Sequence, residues 1–153
     1  MMRGMVFTTL LHTAKEWLMQ ISYRTALLSS LLGLALVVAM QAYSGITCYE
    51  QTWDVFLMGM GMFVLIPLIP ALIALFTRNP LSALGGFLAF LPWLIYAYYV
   101  DCLMPQTGAG GASMIYVVVF LYGAASCLLG VLLVAVLMWL MQVKVVKGNR
   151  AHK

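Results

Sequence analysis

Four long runs of the chain carry no charged side chain: 25–43, 55–77, 81–100 and 114–143. Each provides the roughly 20 apolar residues that a helix needs to cross a hydrocarbon layer about 30 Å thick. Lipid offers backbone N–H and C=O groups no partner, so a segment that crosses it must satisfy them internally, and these runs are expected to be helices. The expected fold is an all-α integral membrane protein with four transmembrane helices in two antiparallel hairpins over residues 25–143. A segment over 1–24 precedes them and a basic tail over 144–153 follows.

Ahead of the first run the pattern changes. Phe7, Leu10, Leu11, Ala14, Leu18 and Ile21 recur at three- and four-residue spacing, and Thr8, Thr9, His12, Lys15, Glu16 and Gln20 fall between them. That spacing predicts an amphipathic helix lying in the membrane interface, with Trp17 and Arg24 near the headgroups. A helix that binds a partner is the alternative reading. The long flank ahead of the first run and the lack of an A-x-A site speak against a cleaved signal peptide.

Composition narrows the class further. Hydrophobic residues make up 65% of the 153 and charged residues 8%, too little polar surface for a small water-soluble globule. The formal net charge of +4 is sorted along the chain. Placing the amino terminus in the cytoplasm puts Arg3, Lys15, Arg24, Arg78, Lys144, Lys147, Arg150 and Lys153 on that side, with Glu16 as its only acid. Glu50, Asp54 and Asp101 then fall on the other side, as the positive-inside rule requires. The basic residues thus report orientation, with both termini cytoplasmic in a bacterial inner membrane. They form no aromatic-interleaved patch, and nucleic acid is not an expected partner.

Packing signals lie within the runs. Arg78, Asn79 and Pro80 are the whole link between the second and third, which makes those two antiparallel neighbours. Gly85 with Ala89, and Ser126 with Gly130, stand at small-xxx-small spacing, and Gly123 with Cys127 supplies a parallel row, so the fourth run is expected to be the central packing helix. Pro67 and Pro70 in the second run and Pro92 in the third are expected helix kinks. Tyr43, Tyr49, Trp53, Trp93, Tyr96, Tyr98, Tyr99 and Tyr116 read as an outer aromatic belt, with Tyr23 and Trp139 at the inner boundary.

Few residues offer chemistry. Cys48 and Cys102 occupy equivalent outer loops, and in an oxidising compartment a structural disulfide between them is the favoured reading, ahead of free thiols or a redox shuttle. Neither belongs to a C-x-x-C. Cys127 reads as a small packing residue. Met58 and Met62 share a helical face while Met60 points about 200° away, which argues against one copper(I) site. Glu50, Asp54 and Asp101 form an outer acidic patch whose simplest role is to serve a helix dipole and water. No Asp, Glu, Lys, Arg or His lies deep in a run, and no nucleophile, phosphate loop or metal-ligand spacing stands out, so no catalytic residue, metal or cofactor is expected.

Packing motifs without reactive groups point to a non-catalytic membrane protein that works by helix contacts inside the bilayer. An accessory or assembly subunit, or an immunity or exclusion protein, fits that description. Its expected partners are lipid and either another membrane protein or further copies of itself. A small oligomeric transporter or channel is the alternative, kept open by the prolines and by polar Gln41 and Ser126; a thiol-linked oxidoreductase depends wholly on Cys48 and Cys102.

Overall fold

A computed structural model of the chain describes residues 20–48, 50–104 and 112–146. In order, the elements are β1 (Gln20–Ser22), α1 (Tyr23–Thr47), α2 (Trp53–Gly59), a π-helical segment (Met60–Leu65), α3 (Ile69–Leu75), α4 (Leu81–Tyr98), a second π-helical segment (Tyr99–Leu103), α5 (Ala112–Leu140) and β2 (Lys144–Val146). Three helices are long and apolar enough to cross a membrane: Tyr23–Thr47, Leu81–Leu103 and Ile115–Leu140. A fourth crossing exists if the bent pair Trp53–Leu65 and Ile69–Leu75 counts as one.

The first helix is longer at both ends than its uncharged run, because exposed Arg24 fits its first turn and buried Ser44 and Gly45 continue its packed face. The last stops at Leu140, short of the expected Val143. There Gln142 adopts a left-handed φ of 55°, Gln142 N–H donates to the Trp139 carbonyl and Val143 N–H to that of Met138, the bonds of a Schellman ending. Two further expectations need correction. The chain is not wholly α-helical, because Gln20–Ser22 pairs in parallel with Lys144–Val146 in a two-stranded sheet. Ile21, placed by its spacing on an amphipathic helix, is in that strand, where ladder bonds satisfy its backbone; the rest of that proposed helix, 1–19, lies outside the described residues, as does the tail beyond Val146.

The central helix is α4, not α5. Of the most apolar stretch of each long helix, 44% is buried in α4, against 28% in α1 and 17% in α5. It packs against α1, α3 and α5. Along α1 the pairings ascend: Ser30 Oγ donates to the Pro80 carbonyl at 2.7 Å, Gly33 meets Leu84 and Phe87, and the Tyr43 and Tyr98 rings lie 5.4 Å apart. Along α5 they descend: Gly85 meets Gly130, Gly86 meets Cys127 and Phe90 meets Gly123. So α1 and α4 run in the same direction and α5 runs against them.

Those directions settle how the bent middle segment runs. Helix α1 ends beside the end of α4, whereas α4 begins beside Ser30, so residues 50–80 must carry the chain from one end of the bundle to the other. The segment bends by 78° between Leu65 and Ile69. Pro67 has no N–H to donate to the preceding turn and its ring crowds that turn's carbonyl, while Pro70 sits in the first turn of α3, where no donor is needed. Pro92 differs, since α4 continues through it at an exposed position. The core includes Val37, Met60, Val64, Leu68, Phe87, Phe90 and Val119.

Candidate functional site

At the end of the bundle where α1 and α4 terminate, Cys48 and Cys102 stand at disulfide-bonding distance, with their Cα atoms 5.6 Å apart. The bond joins the end of α1 to the π-helical segment that extends α4. A tilted Tyr43–Tyr98 ring pair lies just inside it. Gln51 N–H donates to the Gly45 carbonyl at 3.2 Å, and Phe56 packs beside Gly45, so the chain leaving α1 folds back over its last turn.

The three acids fall around this end without forming a metal cluster: no group of three or more His, Cys, Asp or Glu suited to a metal occurs among the described residues. Asp54 is exposed in the first turn of α2, where a carboxylate favours the exposed N–H groups. Glu50 lies before that helix at a φ of 45°, so the two do not share a helical turn. Asp101 is half-buried beside Cys102 and has a partner.

Below the disulfide lies a cavity of about 210 Å³ bounded by Gln41 of α1, by Gln51, Val55, Met58, Gly59, Met62 and Phe63 of the bent segment over 50–80 (the descending segment), and by Tyr116 of α5. The Phe63 and Tyr116 rings stand 5.4 Å apart. Met58 and Met62 both line the cavity while Met60 is buried in the core, a division that follows their helical spacing. Gln41 is only 3% exposed, and its Oε1 has no hydrogen-bond partner. A glutamine within an apolar run is visible in the sequence; that its oxygen ends up unpaired depends on three elements distant in the chain.

The small residues are used inside the chain. A Cβ on Gly85 would stand 2.5 Å from the Gly130 carbonyl oxygen, and one on Gly130 2.7 Å from the Ala89 Cβ. Gly123 is covered by the Phe90 ring. Ser126 accepts a 2.9 Å hydrogen bond from Trp93 Nε1, and Trp93 stacks on Tyr122 with ring centroids 5.5 Å apart. Trp93 therefore ties α4 to α5, a different task from the belt position expected of it.

No protein-family model, curated protein or solved structure matches the chain. Its functional reading rests on its own residues. At the opposite end a larger cavity, about 720 Å³, is lined by Asn79, Ala135, Met138, Trp139, Leu140, Gln142, Val143 and Lys144. There Asn79 Nδ2 donates to Met138 Sδ at 3.1 Å and Asn79 Oδ1 has no partner.

Proposed function

We propose that the protein is a non-catalytic, multi-pass protein of a bacterial inner membrane that acts by helix contacts within the bilayer. Its role would be that of an accessory or assembly subunit, or of an immunity or exclusion protein that occludes a foreign membrane-inserted chain. In this reading the bent segment is one span, the four spans form two antiparallel hairpins, and both ends of the described chain face the cytoplasm. The even number of passages along the bundle and the one-sided basic residues support that orientation.

The observation that carries the reading is the apolar exterior of α5. Leu121, Leu129, Leu133 and Val136 are all more than half exposed on a helix whose most apolar stretch is only 17% buried. Exposed apolar area on that scale in a soluble monomer marks a contact surface; here it supports lipid on most sides and a partner helix on one. Because Gly85, Gly123 and Gly130 are engaged within the chain, the contact belongs to the outward leucines.

Photocrosslinking side chains placed singly at Leu121, Leu129, Leu133 and Val136 in native membranes test this. Discrete protein adducts, to another membrane protein or to a second copy, are expected from neighbouring positions on one face. Lipid adducts alone from all four would sink the proposal. The second reading, a small oligomeric transporter or channel, is favoured by the 78° break, since broken helices expose backbone groups that can line a polar path. Substrate-dependent flux in reconstituted vesicles is its signature.

A further inference from the structure

The cavity of about 720 Å³ at the end opposite the disulfide carries an inference that rests on the membrane part of the reading above and not on its helix contacts. The link into α4 supplies one wall, with Asn79, and the last turns of α5 supply another, with Met138, Trp139 and Leu140. Asn79 Nδ2 donates to Met138 Sδ at 3.1 Å, which joins the two walls. The chain leaving α5 completes the lining with Gln142 and Lys144, both exposed.

The lining is of two kinds. Lys144 and Gln142 offer ammonium and amide N–H donors, while Leu140 is 63% exposed and continues, one turn deeper, into exposed Leu137. Trp139, 77% exposed between them, is the kind of side chain that settles at headgroup level. A cation just past a helix commonly serves its last carbonyls. In α5 three of those are taken: the N–H groups of Met141, Gln142 and Val143 donate to the carbonyls of Leu137, Trp139 and Met138. Glu50, Asp54 and Asp101 lie at the other end of the bundle, so no carboxylate among the described residues neutralises Lys144 here. Exposed Arg24 and Arg78 add positive charge at this end without lining the cavity.

We propose that this cavity holds the headgroup of an anionic phospholipid, with its phosphodiester at Lys144 and Gln142 and an acyl chain running down α5 over Leu140 and Leu137. A basic pocket between helices on the cytoplasmic side is the usual setting for such a headgroup, because that leaflet carries the anionic lipid. Free inorganic phosphate would meet Lys144 but leave the apolar wall uncovered. A zwitterionic lipid would bring its own cation beside the ammonium.

The test titrates the full chain in detergent micelles with dioleoylphosphatidylglycerol or dioleoylphosphatidylcholine, which share their acyl chains, and counts bound lipid by native mass spectrometry. The glycerol lipid is expected to bind about fivefold more tightly, the worth of one cation at a charged membrane surface. Lys144→Gln, at an exposed position that leaves the fold intact, is expected to remove the preference, and Lys144→Arg to keep it. Arg24→Gln takes the same charge from the same end but not from the lining, and is expected to keep the preference too. Ala135→Phe fills the cavity without changing charge and is expected to weaken the glycerol lipid. Equal affinity for the two lipids, an equal loss from Arg24→Gln, full binding to Ala135→Phe, or displacement of the lipid by millimolar inorganic phosphate each overturns the proposal. The last outcome would make the cavity a site for a free anion. All four leave the membrane reading standing, whereas a chain that stays dispersed in water without detergent or lipid overturns both.

Discussion

Two glycines separate what a side chain does from what its absence does. Gly130 sits where two backbones touch, and Gly59 faces open space with nothing within 4 Å. Gly130→Ala forces α4 and α5 apart and is expected to cost about 1–3 kcal/mol, the usual range for overpacking a filled interface. Gly59→Ala meets no neighbour and removes backbone freedom, so it is expected to be neutral or stabilising by up to about 1 kcal/mol. Unfolding of both variants in mixed micelles checks the contrast, and equal effects would contradict the packing described. The spacing of Gly85, Ala89, Ser126 and Gly130 announced close helix approach, and these residues do meet, Gly85 and Ala89 at Gly130 and Ser126 at Trp93. What spacing withheld was the identity of the neighbour: a small-xxx-small row reads the same whether its partner is in the same chain or another. Gln41 was legible as a polar residue in an apolar run, but not as an acceptor left without a donor, since that follows from how α1, the descending segment and α5 meet.

The descending segment shows the same division among elements. Its uncharged length and its prolines were plain in the sequence, yet composition could not choose between a shallow kink and a near right-angle turn. The choice depends on Leu68 and Ala71 being drawn into the core, Ala71 against Gly86, which is tertiary. Labels at exposed Leu57 and Ile73 would be about 24 Å apart along a straight helix and roughly 19 Å apart with the bend. Pulsed electron spin resonance is expected to give the shorter distance for the native chain. A Pro67→Ala, Pro70→Ala double variant is expected to lengthen it, because restored N–H groups can rejoin the helical ladder. An unchanged distance would assign the bend to packing alone. The strands were beyond reach for another reason: three mixed residues give no alternation to detect, and the partner of each lies at the other end of the chain.

For the molecule as a whole, the Cys48–Cys102 bond closes a loop of 54 residues that contains the entire descending segment and α4. Chain-entropy reasoning assigns a loop of that size about 4 kcal/mol. Mass spectrometry without reductant is expected to show alkylation of Cys127 alone after unfolding, and the Cys48→Ser, Cys102→Ser protein is expected to lose up to that stability. Two further alkylated cysteines would exclude the bridge. At the opposite end the bundle is joined differently. Helices α1 and α5 flank α4, and the parallel pairing of Gln20–Ser22 with Lys144–Val146 connects the entrance of the first with the exit of the last. One strand precedes every described helix in the chain and the other follows every one, so this clasp shuts only after all of those helices have been made. A chain cut after Leu140 keeps all its helices and leaves the clasp open. A mechanical load applied between residues 20 and 146 reaches those few ladder bonds before it draws on any helix, which makes the clasp the first element to yield when the molecule is pulled by its ends.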